Sequence, residues 1–280
     1  KTFVDKSCYM DDQHGLTEKE VKEEIAVSFS NAASYYDEHA SVQKEMADRL
    51  IASLQPWRDI IPSGPIIELG AGTGFVTKGV ADLYPDREIE VIDLSEGMID
   101  FCSNKFVDHD NITFKVADAE QVPEFDDPHY AMTVSGFTAH WFDQPAQTLA
   151  KWLEITKPGG LLLASFPGNE SFPKWRKYCQ ELGLPFTANE LPDVEEMVIK
   201  MSVGPAQVDY YEDTITREYE SAKGFFDELK SLGMDTLKQG RQLTSKEMSL
   251  LVDHWDASTE GKVSVDYHVI FLAVKRDFDS

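Results

Sequence analysis

The stretch Glu68-Leu69-Gly70-Ala71-Gly72-Thr73-Gly74 stands where a short apolar run, Ile66-Ile67-Glu68-Leu69, gives way to a helix ending near Leu83. The apolar run predicts a buried strand. Glycines at such a strand-to-helix turn let the backbone bend sharply and approach a ligand closely. A glycine loop alone is a weak signal, because dinucleotide-binding folds use one as well. The spacing here is GxGxG. A dinucleotide fingerprint, GxGxxG, would need its third glycine where Phe75 stands.

Two acids sharpen the reading. Asp93, with Leu94 after it, closes a second strand over 88–92, where a carboxylate can accept both hydroxyls of a ribose. Dinucleotide enzymes share that feature. Asp118, in Val116-Ala117-Asp118-Ala119, closes a third strand over 112–116, where it can accept from an adenine amine. A second acid there, a loop with no place for a pyrophosphate, and Lys157-Pro158-Gly159-Gly160 before a fifth strand together resemble class I S-adenosylmethionine-dependent methyltransferases. Both acids also fit plain helix or turn caps. Glu68 is suited either to positioning the loop or to contacting a cofactor amino group. A nicotinamide oxidoreductase and a non-catalytic binding module remain the alternatives; retention of S-adenosylhomocysteine rather than NAD separates them.

Outward from the loop, strands alternate with helices. A strand over 130–134, a helix from Pro145 to about Thr156 and a strand over 161–165 continue the pattern, which implies a doubly wound, mostly parallel seven-stranded α/β sheet. Upstream, residues 1–16 read as a loose arm and 17–62 as a helical cap. Thr17 with Glu20 forms a capping box for a helix to about Asn31, and Val42, Met46, Leu50 and Leu54 stripe a second helix. Residues 63–166 form the cofactor-binding half. Residues 167–208, punctuated by Pro173, Pro185 and Pro192, read as a lid-like helical insertion, and 209–280 supply late strands and helices, with a last antiparallel strand over 263–274.

The bulk properties bound the function. The 280 residues, 42% hydrophobic, suffice for a filled core. No run approaches the ~18 apolar residues of a membrane span, and no signal-peptide core is present, so a cytoplasmic protein is expected. Cys8, Cys102 and Cys179 are scattered and imply no disulfide framework. No motif of metal-ligand spacing occurs, so no metal is expected. A net charge of −24 repels nucleic acid, and the acid is heavier in residues 1–170 than in 171–280.

Four segments resemble a narrower family, the malonyl-acyl-carrier-protein O-methyltransferases of biotin synthesis. They are Phe29 to Gln43 (FSNAASYYDEHASVQ), Ser135 to Phe142 (SGFTAHWF), the stretch from Leu229-Lys230-Ser231-Leu232-Gly233 through Gly240-Arg241 to Leu243-Thr244, and Asp266 to Leu272 (DYHVIFL). Two departures stand out: His140 replaces the family's usual glutamine and Lys230 a common arginine. The resemblance implies methyl transfer from S-adenosyl-L-methionine to the free carboxylate of a malonyl thioester, with an acyl carrier protein as possible partner. A carboxylate is already ionised near neutral pH, so no general base is required.

For the cofactor, the candidates are Glu68, Gly70, Ala71, Gly72, Gly74, Asp93, Leu94, Asp118, Ala119 and Ser135, with Tyr36, His39 and Gln43 closing over it or merely packing. For the acceptor they are His140, Trp141, Lys230, Arg241, Tyr267 and His268, with Arg241 expected to grip an anionic group of the substrate. Tyr267 and His268 alternate on a strand, so at most one faces the site. Docking of an acidic carrier protein would need a basic patch drawn from Lys174, Arg176, Lys177, Lys223, Lys230, Lys238 and Arg241.

Overall fold

The computed structural model describes residues 16–278, so the expected arm, apart from Leu16, and Cys8 lie outside the described residues. Two helices come first, α1 (Glu18–His39) and α2 (Ser41–Leu54). Thr17 and Glu20 form the expected capping box. Yet α1 runs eight residues past Asn31, because no glycine or proline interrupts 18–40 and Ala32, Ala33 and Tyr36 are buried on its inner face.

The sheet follows: β1 (Ile66–Leu69), α3 (Phe75–Leu83), β2 (Ile89–Asp93), α4 (Glu96–Lys105), β3 (Ile112–Val116), β4 (Tyr130–Gly136), α5 (Pro145–Glu154) and β5 (Thr156–Pro167). The strand β5 begins five residues earlier than expected. Thr156 pairs with Tyr130 and the register then slips to Met132–Leu161, so Lys157 to Gly160 form a bulge inside the strand. Next come α6 (Pro173–Leu182), α7 (Val194–Ser202), β6 (Ala206–Tyr219), α8 (Ala222–Ser231), α9 (Ser245–Ala257) and β7 (Val263–Arg276).

The strand order is β3-β2-β1-β4-β5-β7-β6. The first five strands are parallel, and β7 is antiparallel to both β5 and β6. Neighbouring residues on β1 show how both faces are covered. Ile66 packs with Met46, Leu50 and Val80, whereas Ile67 packs with Leu149 and Trp152. Met46 and Leu50 are fully buried, and truncating either to alanine would cost about 2–5 kcal/mol. The 167–208 segment divides between the faces: Trp175, Tyr178 and Cys179 of α6 join the first cluster, and Met197 and Met201 of α7 join the second.

This topology positions the site. Chain direction reverses in strand order at β1, between β2 and β4, and the carboxyl ends of such strands open a crevice. The glycine loop, Asp93, Asp118 and the turn after Gly136 all lie there.

Candidate active site

Gly70 and Ala71 N–H donate to the Ile92 carbonyl at 2.8 and 3.2 Å, which ties the glycine loop to β2. A Cβ on Gly74, where φ is +98°, would lie 2.9 Å from Cys102 Sγ and from a Phe106 ring carbon, so this glycine serves packing against α4. A Cβ on Gly72, where φ is +54°, would meet nothing within 4 Å. Gly72 therefore borders open space.

Its N–H donates to Asp93 Oδ2 at 2.8 Å, and Ser95 N–H donates to Oδ1 at 2.8 Å. Burial raises the Asp93 pKa and these backbone bonds oppose it. Each oxygen keeps a lone pair for a further donor, as two ribose hydroxyls require. Asp118 Oδ1 accepts from Glu120 N–H at 2.9 Å, and its Oδ2 accepts from the Lys22 ammonium at 3.0 Å. Glu68 is 1% exposed and accepts from Thr77 Oγ1 at 2.6 Å. Burial pushes its pKa up to about 8, against the pull of Thr77, so without a ligand it is a neutral acid. A cation in the cleft would favour its ionised form.

Helices α1 and α2 roof the cleft with Lys22, Phe29, Tyr36 and Gln43, while Trp141 and Met234 close its end. About 1040 Å³ of empty space, part of it open to solvent, lies in the cleft. Of the expected cofactor residues, Glu68, Gly70, Ala71, Gly72, Asp93, Leu94, Asp118, Ala119, Tyr36 and Gln43 line this cleft. Gly74 does not, for the packing reason given. Ser135 is buried and spends its hydroxyl on the Leu69 carbonyl at 3.2 Å, pinning β4 to β1. His39 is exposed in the last turn of α1, away from the cleft.

The acceptor candidates separate. His140 is 5% exposed, and neither ring nitrogen has a hydrogen-bond partner. Burial, with Lys238 nearby, lowers its pKa to about 3 and keeps it neutral. His140, Trp141 and Lys230 line a second chamber beside the cleft. Arg241 is a correction to the sequence reading. Its guanidinium forks onto Glu247, with two N–O distances of 2.8 Å, and its side chain is 54% exposed. Glu247 completes the α9 capping box, so the fork serves a helix start and lines neither cavity. Tyr267 and His268 also line neither. Tyr267 is buried edge-on to Phe172, and His268 Nε2 lies 2.9 Å from Glu212.

Residues 66–160, the segment that holds the glycine loop and both acids, match the family model for a methyltransferase domain. That segment is a methyltransferase domain. A malonyl-acyl-carrier-protein O-methyltransferase of Anoxybacillus flavithermus is 29% identical over 262 residues, covering 88% of this chain and 94% of that protein. The biotin biosynthesis bifunctional protein BioHC of Teredinibacter turnerae is 27% identical over 92% of this chain, which spans 47% of that longer protein. Among solved structures, the YcgJ protein of Bacillus subtilis superposes with a TM-score of 0.60 at 12% identity, covering 82% of this chain and 99% of that one. That last likeness bears on the fold.

Paired acceptors on Asp93, a carboxylate at Asp118 and Glu68 line this cleft, and these groups could hold S-adenosylmethionine. Lys22, Thr138 and Met234 are lining residues that the sequence reading missed. Thr138 carried a signal, since it falls inside the SGFTAHWF segment. Met234 falls inside the 229–244 segment in the same way, whereas Lys22 carried none, because only tertiary packing brings α1 over the sheet.

Proposed function

We propose that this methyltransferase transfers the methyl group of S-adenosylmethionine to the free carboxylate of a malonyl thioester, as an early step of biotin synthesis. One observation carries the acceptor class. His140, buried beside the end of the cleft, is kept neutral with a pKa near 3, which makes it a poor base for an alcohol or amine acceptor at neutral pH. An acceptor that arrives ionised needs no such help. The low-dielectric cleft then aligns a carboxylate oxygen with the sulfonium carbon, near ~3 Å and in line with the breaking bond. Opposite charges become neutral products, so exclusion of water favours the reaction. The relative of Anoxybacillus supports the same substrate class, and that of Teredinibacter supports biotin synthesis.

A second reading, a coenzyme A thioester or another small carboxylate instead of a carrier protein, is favoured by the basic side chains. Lys174 bonds Ser264, Arg176 stacks 4.2 Å from the Phe186 ring centroid, Lys177 and Lys223 pair with Glu181 and Asp227, and Lys238 donates to the Phe142 carbonyl at 2.6 Å. Lys177, Lys223 and Arg241 are each paired with an acid and Lys238 with a carbonyl, which leaves fewer of these charges for an acidic carrier. A cytoplasmic setting is part of this proposal; Cys102 and Cys179 are free and buried. Among the described residues no helix is long and apolar enough to cross a membrane.

The test is methyl transfer from labelled S-adenosylmethionine to malonyl carrier protein, malonyl-CoA and a panel of other carboxylic acids. A base-labile methyl ester on a malonyl thioester is the expected product. Label appearing only on unrelated acids would overturn the malonyl assignment, and the ratio of the first two substrates decides between carrier and coenzyme A.

A further inference from the structure

Trp141 and Met234 line the donor cleft and also line the second chamber, so the two cavities share a partition. The second chamber, open to solvent, holds about 1060 Å³ of empty space. Phe172, Trp175, Phe226, Leu229 and Leu243 give it a largely apolar lining, with Asp227, Lys230 and Asp235 as its charged groups. Such a surface suits the carbon body of a ligand. Orientation must come from a few polar groups.

One lacks any partner: neither nitrogen of His140 has a hydrogen bond. Buried polar groups in folded proteins are nearly always paired, so this orphan ring needs an account. Lys230 also lines this chamber. The loop that carries His140 is fixed with respect to the methyl donor. Thr138 Oγ1 donates to the Gly70 carbonyl at 2.9 Å, and Phe137 is held at φ +52°, a conformation that non-glycine residues rarely adopt.

We propose that the second chamber is the acceptor site, and that His140 donates a hydrogen bond to an oxygen at the carboxyl end of the acyl group, beside the Trp141–Met234 partition. The inference rests on the proposed carboxylate chemistry and adds the site and the residue that orients the reacting end. Burial supports it by keeping the imidazole uncharged. An uncharged donor fixes the position of the carboxylate and leaves its negative charge for attack on the methyl. A guanidinium or ammonium in the same place would neutralise the nucleophile. Lys230, elsewhere on the wall, is then free to serve the thioester end. The apolar length of the chamber accommodates the chain beyond the carboxylate.

His140 also touches Phe137 and Trp141, with ring centroids 5.0 and 5.3 Å away, so packing is the competing role. Two substitutions separate them. His140→Gln keeps a donor and loses the ring; His140→Phe keeps a ring and loses the donor. Loss of a hydrogen bond to a charged group predicts an acceptor KM raised about tenfold or more in His140→Phe, with His140→Gln within about threefold of wild type. Affinity for S-adenosylhomocysteine should be unchanged in both. The reverse order, phenylalanine tolerated and glutamine harmful, would overturn the proposal. Leu243→Trp, which fills the chamber from its far wall, should raise acceptor KM and leave S-adenosylhomocysteine binding intact; an unchanged KM counts against the site. A readout independent of turnover is the imidazole ¹⁵N resonances of His140 in protein saturated with S-adenosylhomocysteine. They should shift on adding malonyl-pantetheine, and an absent shift rejects the contact. Wild-type protein that methylates another carboxylic acid but no malonyl thioester would refute the malonyl assignment alone, and the His140 comparison then runs on the acid that is methylated.

Discussion

The Lys22 ammonium stands 3.0 Å from Asp118 Oδ2, so a residue of the first helix is bound to the carboxylate at the end of β3. The same ammonium lies 2.7 Å from Glu120 and 3.9 Å from Asp143. Burial disfavours its charge, but the bonds to Glu120 and Asp118 outweigh that and hold its pKa above the ordinary lysine value. Lys22 is thus the clasp between α1 and the cofactor half. Lys22→Met leaves carboxylates crowded without their cation and should cost about 1–3 kcal/mol. Hydrogen exchange across α1 should quicken, and S-adenosylhomocysteine should leave faster. Wild-type exchange in the variant would show that α1 is held by its apolar face alone and is no lid.

Glu68 makes the ligand-free protein sensitive to pH. Its folded pKa, about 8, stands above the ordinary 4.5, so its contribution to stability is complete below about 4.5 and disappears as pH rises through about 8. Asp143, which burial and a bond to Glu18 raise to about 6, acts in the same direction over a lower range. His140, lowered to about 3, acts in the opposite direction up to about pH 6.5, so the Glu68 contribution is read from the fall between about 6.5 and 8. Glu68→Gln should flatten that slope and stabilise the ligand-free protein at pH 8 by roughly 1–3 kcal/mol. In the wild type, S-adenosylmethionine affinity should strengthen as Glu68 ionises. Thermal midpoints that fall equally in wild type and variant would reject the assignment.

Gly72 and Gly74 should fail in different ways. Gly72→Ala strains the left-handed backbone by about 1–2 kcal/mol and points a methyl group at open cleft, so the protein folds and loses cofactor affinity. Gly74→Ala drives a methyl group into Cys102 and Phe106 and should destabilise by roughly 2–4 kcal/mol. Asp93→Ala belongs with the first, because it removes the ribose acceptor and also frees the Gly72 N–H; a tenfold or greater loss in affinity is expected. Calorimetric titration beside thermal melting tells these apart, and equal losses of stability at both glycines would contradict it.

Arg241→Ala should leave the KM for every carboxylate at the wild-type value, since its fork is spent on Glu247. The effect should appear in acid instead. Glu247, held down to about 2 by Arg241 and the Thr244 backbone, contributes stability that is present above about 4.5 and lost as pH falls through 2. The variant should lose part of that acid dependence. A raised acceptor KM would restore Arg241 to the site.

The contrast between Asp93 and Arg241 indicates what a linear chain discloses. The position of Asp93 was legible because the end of a strand next to a glycine turn is a relation of a few residues. The same holds for the sheet, whose strands announce themselves by short apolar runs between turns. Arg241 was misread because the residue that claims it, Glu247, sits in a helix cap whose priority over a distant substrate only packing decides. Ser135 and His39 failed likewise: one faces the interior of the sheet, the other points outward from a helix that ran longer than its polar stretch suggested. Lys22 was missed because the helix face it occupies acquires meaning only when α1 comes within reach of Asp118, after β3.

The hydrogen bond from Thr138 to Gly70 has a consequence for how such a protein diversifies. Its methyl group fills the space where a Gly70 Cβ would lie 2.1 Å away, so the two loops interlock as well as bond. The registration of donor against acceptor is thereby cast as one part, and neither loop can be retuned without disturbing the other. The outer walls of the second chamber, Trp175, Phe226 and Leu243, carry no such obligation. Lineages that acquire new acceptors would be expected to change those walls first and to inherit the interlocked loops intact.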